Sequence, residues 1–208
     1  VGVFQAGGHD FPEAIAFLAH HVQAGLDAGA PDTLQQAGGG RQSLQHDLIW
    51  TRLDKIEFPA EDETGPKSRL IEEIGKFGTE EALADLLRKF GNTSPPAISH
   101  ALVRSIARFA IRGVTTAEGV EYLLKLLQPP EETRWQVVYA LQRIGDHPGI
   151  RNDLEEIVKL QKHGDPLVRM NCATLLGKVK NETICLLPLQ RLAEFDPDWH
   201  VRVNALKA

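Results

Sequence analysis

Histidine is the first residue type in the chain that suggests chemistry: His20 and His21 are adjacent, with His9 and His46 in the same segment. Imidazole is the commonest protein ligand for metals. Neighbouring residues on a helix point about 100° apart, however, so two adjacent histidines rarely reach one ion. They read as solvated or capping side chains, and no metal is expected. Gly38-Gly39-Gly40-Arg41 ahead of a helix could cradle a phosphate on backbone N–H groups. It lacks the spacing and the Lys-Ser/Thr pair of a phosphate loop and reads as a flexible linker. Glu80-Glu81 and Glu155-Glu156 are carboxylate pairs, but helix neighbours of this kind form a solvated face, not a buried acid. Cys172 and Cys185 match no CxxC, haem or zinc spacing and read as buried thiols, Cys172 having no base partner. Asn92-Thr93-Ser94 and Asn181-Glu182-Thr183 are glycosylation sequons, relevant only in a eukaryotic secretory setting. No catalytic residue, metal ligand or cofactor follows from these groups.

The elements that hold such residues must come from 208 residues, enough for one large or two small domains. The formal net charge of −5 argues against a general binder of nucleic acid or anionic membranes. Residues 1–60 carry only Arg41, Arg52 and Lys55 against seven acidic side chains, so most of the imbalance lies there. No apolar run approaches a membrane span, and no signal peptide is visible.

The organising feature is a repeat. Asp165-Pro166-Leu167-Val168-Arg169-Met170-Asn171 is followed 33 residues later by Val201-Arg202-Val203-Asn204 in register. The same apolar rhythm runs through Val137, Ala140, Leu141 and Ile144, through Leu102, Ile106 and Phe109, and through Leu70, Ile71 and Ile74. Anchoring each copy at Lys67, Ser99, Arg134, Arg169 and Arg202 gives spacings of 32, 35, 35 and 33. Each copy predicts two helices. The first has i, i+3, i+4 periodicity and stops near Gly78, Ala110 or Gly145, as a helix C-cap would. The second is amphipathic: Thr79 caps a helix to Phe90, Thr115 and Glu118 have capping-box spacing, and a third covers roughly 148–162. Asp165-Pro166 and Asp196-Pro197 each predict an N-cap before a proline at the first helical position. Pro188 predicts a kink or a late start in the helix after Asn181.

The Asp-Pro-x-x-Val-Arg-x-x-Ala-x-x-x-Leu-Gly rhythm over residues 61–208 resembles bacterial HEAT repeats. The resemblance implies an all-α, right-handed α-α superhelix (a HEAT-like or armadillo-type solenoid) of about four full repeats and a partial fifth. It also implies a structural ladder between units, here Arg134, Arg169 and Arg202 with Asp165 and Asp196; Lys67 and Ser99 depart from it. Repeats stacked in this way make an elongated body, with a radius of gyration above the ~17 Å of a compact globule of this length.

Residues 1–60 do not fit the repeat. Helices over 11–28 and 44–58 predict a helical N-terminal cap or a degenerate repeat. The compartment is cytoplasmic by default; the chain does not begin with Met, which leaves an exported form open. Val203 and Leu206 lie in an unfinished fifth copy, which predicts further chain or a partner over that end. Trp50, Trp135 and Trp199 read as packing residues, Trp199 being the best placed of them to meet a missing segment.

The expected function is non-catalytic: a docking module or scaffold for a protein or peptide, as a subunit or segment of a larger assembly. Its inner surface would be lined by the second helix of each unit, with Asp85, Arg88, Tyr122, Lys125, Glu156, Lys159 and Arg191 exposed. The alternative is a HEAT-like enzyme, such as a chromophore-handling protein of the phycobilin-lyase type. A DNA glycosylase is disfavoured because the inner helices lack a basic, aromatic groove. A third reading is an architectural segment of a larger enzyme or membrane-associated complex.

Overall fold

The computed structural model describes residues 65–92, 95–129, 132–179 and 181–208. The chain divides into two compact units, Val1–Leu48 and Ile49–Ala208, and all the described residues lie in the second. The N-terminal histidines, the glycine run and the helices expected over 11–28 and 44–58 lie outside them.

The described residues form helices and no strands: α1 Gly65–Phe77, α2 Glu80–Phe90, α3 Pro96–Ile111, α4 Ala117–Lys125, α5 Trp135–Ile144, α6 Pro148–Asn152, α7 Leu154–Lys159, α8 Pro166–Lys178, α9 Glu182–Phe195 and α10 Trp199–Lys207. Helix α7 runs on as a tighter turn over Leu160–Lys162. The first helices meet in chain order, α1 on α3, α3 on α5, α5 on α8 and α8 on α10. The second helices pack α2 on α4, α4 on α6 and α7 on α9.

Local chemistry explains most of the boundaries. The Thr79 hydroxyl accepts from the Ala82 N–H to start α2, and the Asp165 carboxylate accepts from Leu167 N ahead of Pro166. Gly145, at φ +78°, closes α5 in a conformation that side chains other than glycine rarely adopt.

Four expectations are corrected. The cap of α4 is Thr116, whose buried hydroxyl accepts from Gly119 N at 3.1 Å, and not Thr115. Helix α3 does not stop at Ala110; it runs to Ile111 and turns at Gly113, φ +81°. The Asp196-Pro197 pair does not open α10: Asp198 caps it and Trp199 is its first residue. Asp196 instead takes the Asp198 N–H at 2.9 Å, which turns the chain two residues early. Finally, α9 begins directly after its Asn181 cap and carries a buried Pro188 inside, so there is no late start.

One apolar core runs from Ile71 to Cys185 and includes Leu102, Ile106, Phe109, Leu141, Ile157 and Leu175. A second, small cluster of Ala173, Leu192, Val201 and Ala205 holds α10. The first and second units meet closely at Gly75, where a Cβ would lie 2.8 Å from Ser105 Cα. No described helix is long and apolar enough to cross a membrane.

Candidate functional site

The second helices carry the predicted face. Arg88, Lys125, Lys159 and Arg191 are exposed, while Asp85 and Glu156 are half-buried beside them. On three of these helices the charges are matched: Arg88 with Asp85, Lys125 with Glu121 at 2.8 Å, and Lys159 with Glu156 at 2.5 Å. These are i,i+3 and i,i+4 partners, which a helix brings together without tertiary help. The hydrogen bond and charge of Lys125 hold the Glu121 carboxyl below its ordinary value, and Lys159 acts likewise on Glu156. Tyr122 is not part of the exposed face. Its ring is half-buried, and its hydroxyl lies 2.8 Å from Ser99 Oγ on α3. Helix α9 adds exposed apolar side chains, Leu186, Leu187 and Phe195.

The arginines of the predicted ladder behave in two ways. Arg169 makes a two-pronged pair with Asp196, 2.7 Å from Nε and 2.9 Å from Nη2, and donates Nη1 to the carbonyls of His163 and Gly164. Arg202 repeats the backbone half, donating Nη1 to the carbonyls of Asp196 and Pro197 at 2.8 and 3.2 Å. Each arginine thus reaches back six and five residues to fasten the turn before its own helix. Asp165 serves as a helix cap, and its counterpart one unit on is Asp198, not Asp196.

Arg134 departs from this pattern. It lies just before α5, is exposed, and places Nη1 3.1 Å from His100 Nδ1 on α3. Burial, then the charges of Arg134 and Arg104, hold His100 below the ordinary histidine value, so the neutral ring accepts from Arg134. Both residues line a cleft of about 230 Å³ between α3, the end of α4 and the start of α5, with Ser99, Val103, Glu132 and Gln136.

The chain matches no known protein-family model, no curated protein and no solved structure.

A second recurring contact lies at the other end of the first helices. Arg108 Nη1 donates to Glu72 O at 2.6 Å, and Lys178 Nζ donates to Gln142 O at 2.7 Å, each 36 residues back on the preceding first helix. Arg143 is the same repeat position, and it stacks on Tyr139 at 4.8 Å. A basic residue recurring at 108, 143 and 178 was the available sequence signal, overlooked beside the more conspicuous Val-Arg-x-Asn. At Gln142, in the last turn of α5, the Lys178 bond satisfies a carbonyl that the helix itself leaves unpaired.

The remaining groups are chemically quiet. Burial pushes the Cys172 thiol up to about 12, and its Sγ lies 3.4 Å from Ile157 O. Cys185 is also buried and unpaired by disulfide. Trp135 meets Tyr139 edge-on, and Trp199 is exposed and stacked on His200 at 3.6 Å. Among the described residues no His, Cys, Asp and Glu group is placed to hold a metal ion.

Proposed function

We propose that the chain is a HEAT-like solenoid that docks a protein or peptide on the face of its second helices and performs no chemistry of its own. The observation that carries this reading is the matched row of exposed ion pairs on α2, α4 and α7. Exposed pairs of this kind contribute little to stability, being screened and entropically costly. They can therefore be exchanged for pairs across an interface at little cost to the fold. Alternating signs over three helices suit a partner of mixed charge and select its register more than its affinity. The ordered packing of second helix on second helix supports a continuous surface of this kind. The ladder of Arg169 and Arg202 supports the HEAT-like assignment, since both secure the junctions between successive units.

The test is capture of the native protein under mild cross-linking, with bound proteins identified by mass spectrometry. A stoichiometric partner lost on joint reversal of Arg88, Lys125 and Lys159 to Glu, in a variant that still unfolds cooperatively, is the expected result. Recovery of the protein without a partner, or a partner indifferent to the reversal, overturns the reading.

A further inference from the structure

The cleft between α3 and α5 holds an arginine that the repeat has released from its structural duty. In the fourth unit Arg169 is neutralised by Asp196, and Asp196 also accepts the Asp198 N–H at 2.9 Å. One unit earlier, 33 residues back, the position of Asp196 is His163, whose Nδ1 accepts the Asp165 N–H at 3.0 Å. His163 reproduces the turn-closing bond of the aspartate and lacks its charge. The arginine that an aspartate there would have neutralised is Arg134. Among the described residues Arg134 meets no carboxylate within ion-pair distance, and its contact is the neutral His100 ring. A guanidinium bonded to an imidazole keeps its full charge and most of its five donors.

The charged groups around it are few. Arg104, one turn along α3 from His100, is held by Glu72 of α1 at 2.5 Å. Glu132 lines the same cleft, beyond ion-pair distance of Arg134. Ser99 and Gln136 supply polar atoms, and Val103 an apolar floor. A space of about 230 Å³ suits one side chain and is small for a cofactor.

We propose that this cleft binds the carboxylate of an acidic peptide side chain, with Arg134 as the principal donor and His100 as its support. The carboxylate meets Arg134 from the α3 side, in the planar two-pronged geometry that Asp196 shows with Arg169 from the following unit. Glu132 weakens the site and restricts it to ligands that bring their charge directly onto Arg134. The source of the carboxylate rests on the docking reading above; the anion site itself does not.

The test uses the full chain and two probes that differ only in charge, N-acetyl-glutamate amide and N-acetyl-glutamine amide, at constant ionic strength. Backbone amide shifts of His100 and Gln136 are followed by NMR, with inorganic phosphate as a third probe. The expected result is saturable movement with the glutamate probe and none with the glutamine probe. R134Q abolishes the movement, and E132Q lowers the apparent Kd severalfold. H100Q, which keeps a hydrogen-bonding side chain beside Arg134, serves if R134Q does not fold, and is expected to weaken binding severalfold. Equal responses to the two capped probes, an undiminished response in R134Q or H100Q, or a response to phosphate alone overturns the proposal. Charge reversal at Arg88, Lys125 and Lys159 leaves this titration unchanged, so failure here and failure of the docking face are separable.

Discussion

Asp196 accepts both prongs of Arg169 and the Asp198 N–H, while its own carbonyl accepts from Arg202. Its side chain is 2% exposed and that of Arg169 11%, so neither can exchange its partner for water. Removing one charge leaves the other buried, and D196N is expected to cost about 3 kcal/mol in urea unfolding at pH 7. Burial pulls the Asp196 carboxyl upward, but its bonds to Arg169 and to the Asp198 N–H outweigh that and leave it below the ordinary value. A depressed carboxyl contributes stability that is complete above its unfolded value of about 4 and is lost as pH falls through the folded value. The gap between wild type and D196N should therefore narrow between pH 5 and pH 2, and a gap that is constant over that range contradicts the assignment. Cys172 makes a second prediction at this scale. With its thiol pushed up to about 12 by burial, it should resist iodoacetamide at pH 8 in the native state and react only when the chain unfolds. The Arg169–Asp196 pair was legible in the sequence only through the recurring Val-Arg, because the geometry that joins residues 27 apart is set by the packing of two units. The wrong cap at Asp196 has a physical cause too: Asp-Pro is a good helix start, but here Asp196 is already engaged by Arg169 and by a turn.

At the scale of the elements, the periodicity of the first helices was readable because their buried positions are Leu, Ile, Val and Phe at regular spacing. Leu102, Ile106 and Phe109 are all buried, as are Val137, Val138 and Leu141. Cap positions were less readable where two candidates stand side by side: Thr115 and Thr116 differ by one residue, and only backbone geometry selects the second. Gly75 shows a constraint that no pattern of apolar residues displays. A methyl group there would sit 2.8 Å from Ser105 Cα and 3.0 Å from its carbonyl oxygen, so α1 and α3 would have to separate. Helix propensity favours Gly→Ala by about 1 kcal/mol. Overpacking against backbone costs about 2 to 3 kcal/mol and wins. G75A is expected to be net destabilising by about 1 to 2 kcal/mol, measured as a shift in the chemical unfolding midpoint. Adding S105A should recover little, since the obstruction is backbone and not the hydroxyl alone. Full recovery in the double variant would show that the crossing is looser than this distance implies.

At the scale of the whole described unit, the two apolar clusters divide the work unequally. The large one spans α1 to α9, while α10 is held by Val201 and Ala205 on a cluster of four buried residues. Local opening has a free energy set by the contacts it breaks, so α10 should open without the rest of the unit. Native-state hydrogen exchange is expected to give α10 amides a lower opening free energy than the amides of α3 and α5, with a weaker dependence on denaturant. I106A removes buried volume from the large cluster and should lower global stability by about 3 kcal/mol. V201A should accelerate exchange in α10 and leave α3 and α5 unchanged. Arg202 does not weaken this division, because its partners are the carbonyls of Asp196 and Pro197 in the turn before α10, so it fastens that turn and not the large core. If α10 and α3 exchange with one free energy and one denaturant dependence, the bond of Asp196 to Arg169 on α8 transmits enough coupling to make the unit a single cooperative block, and the division drawn from apolar packing fails.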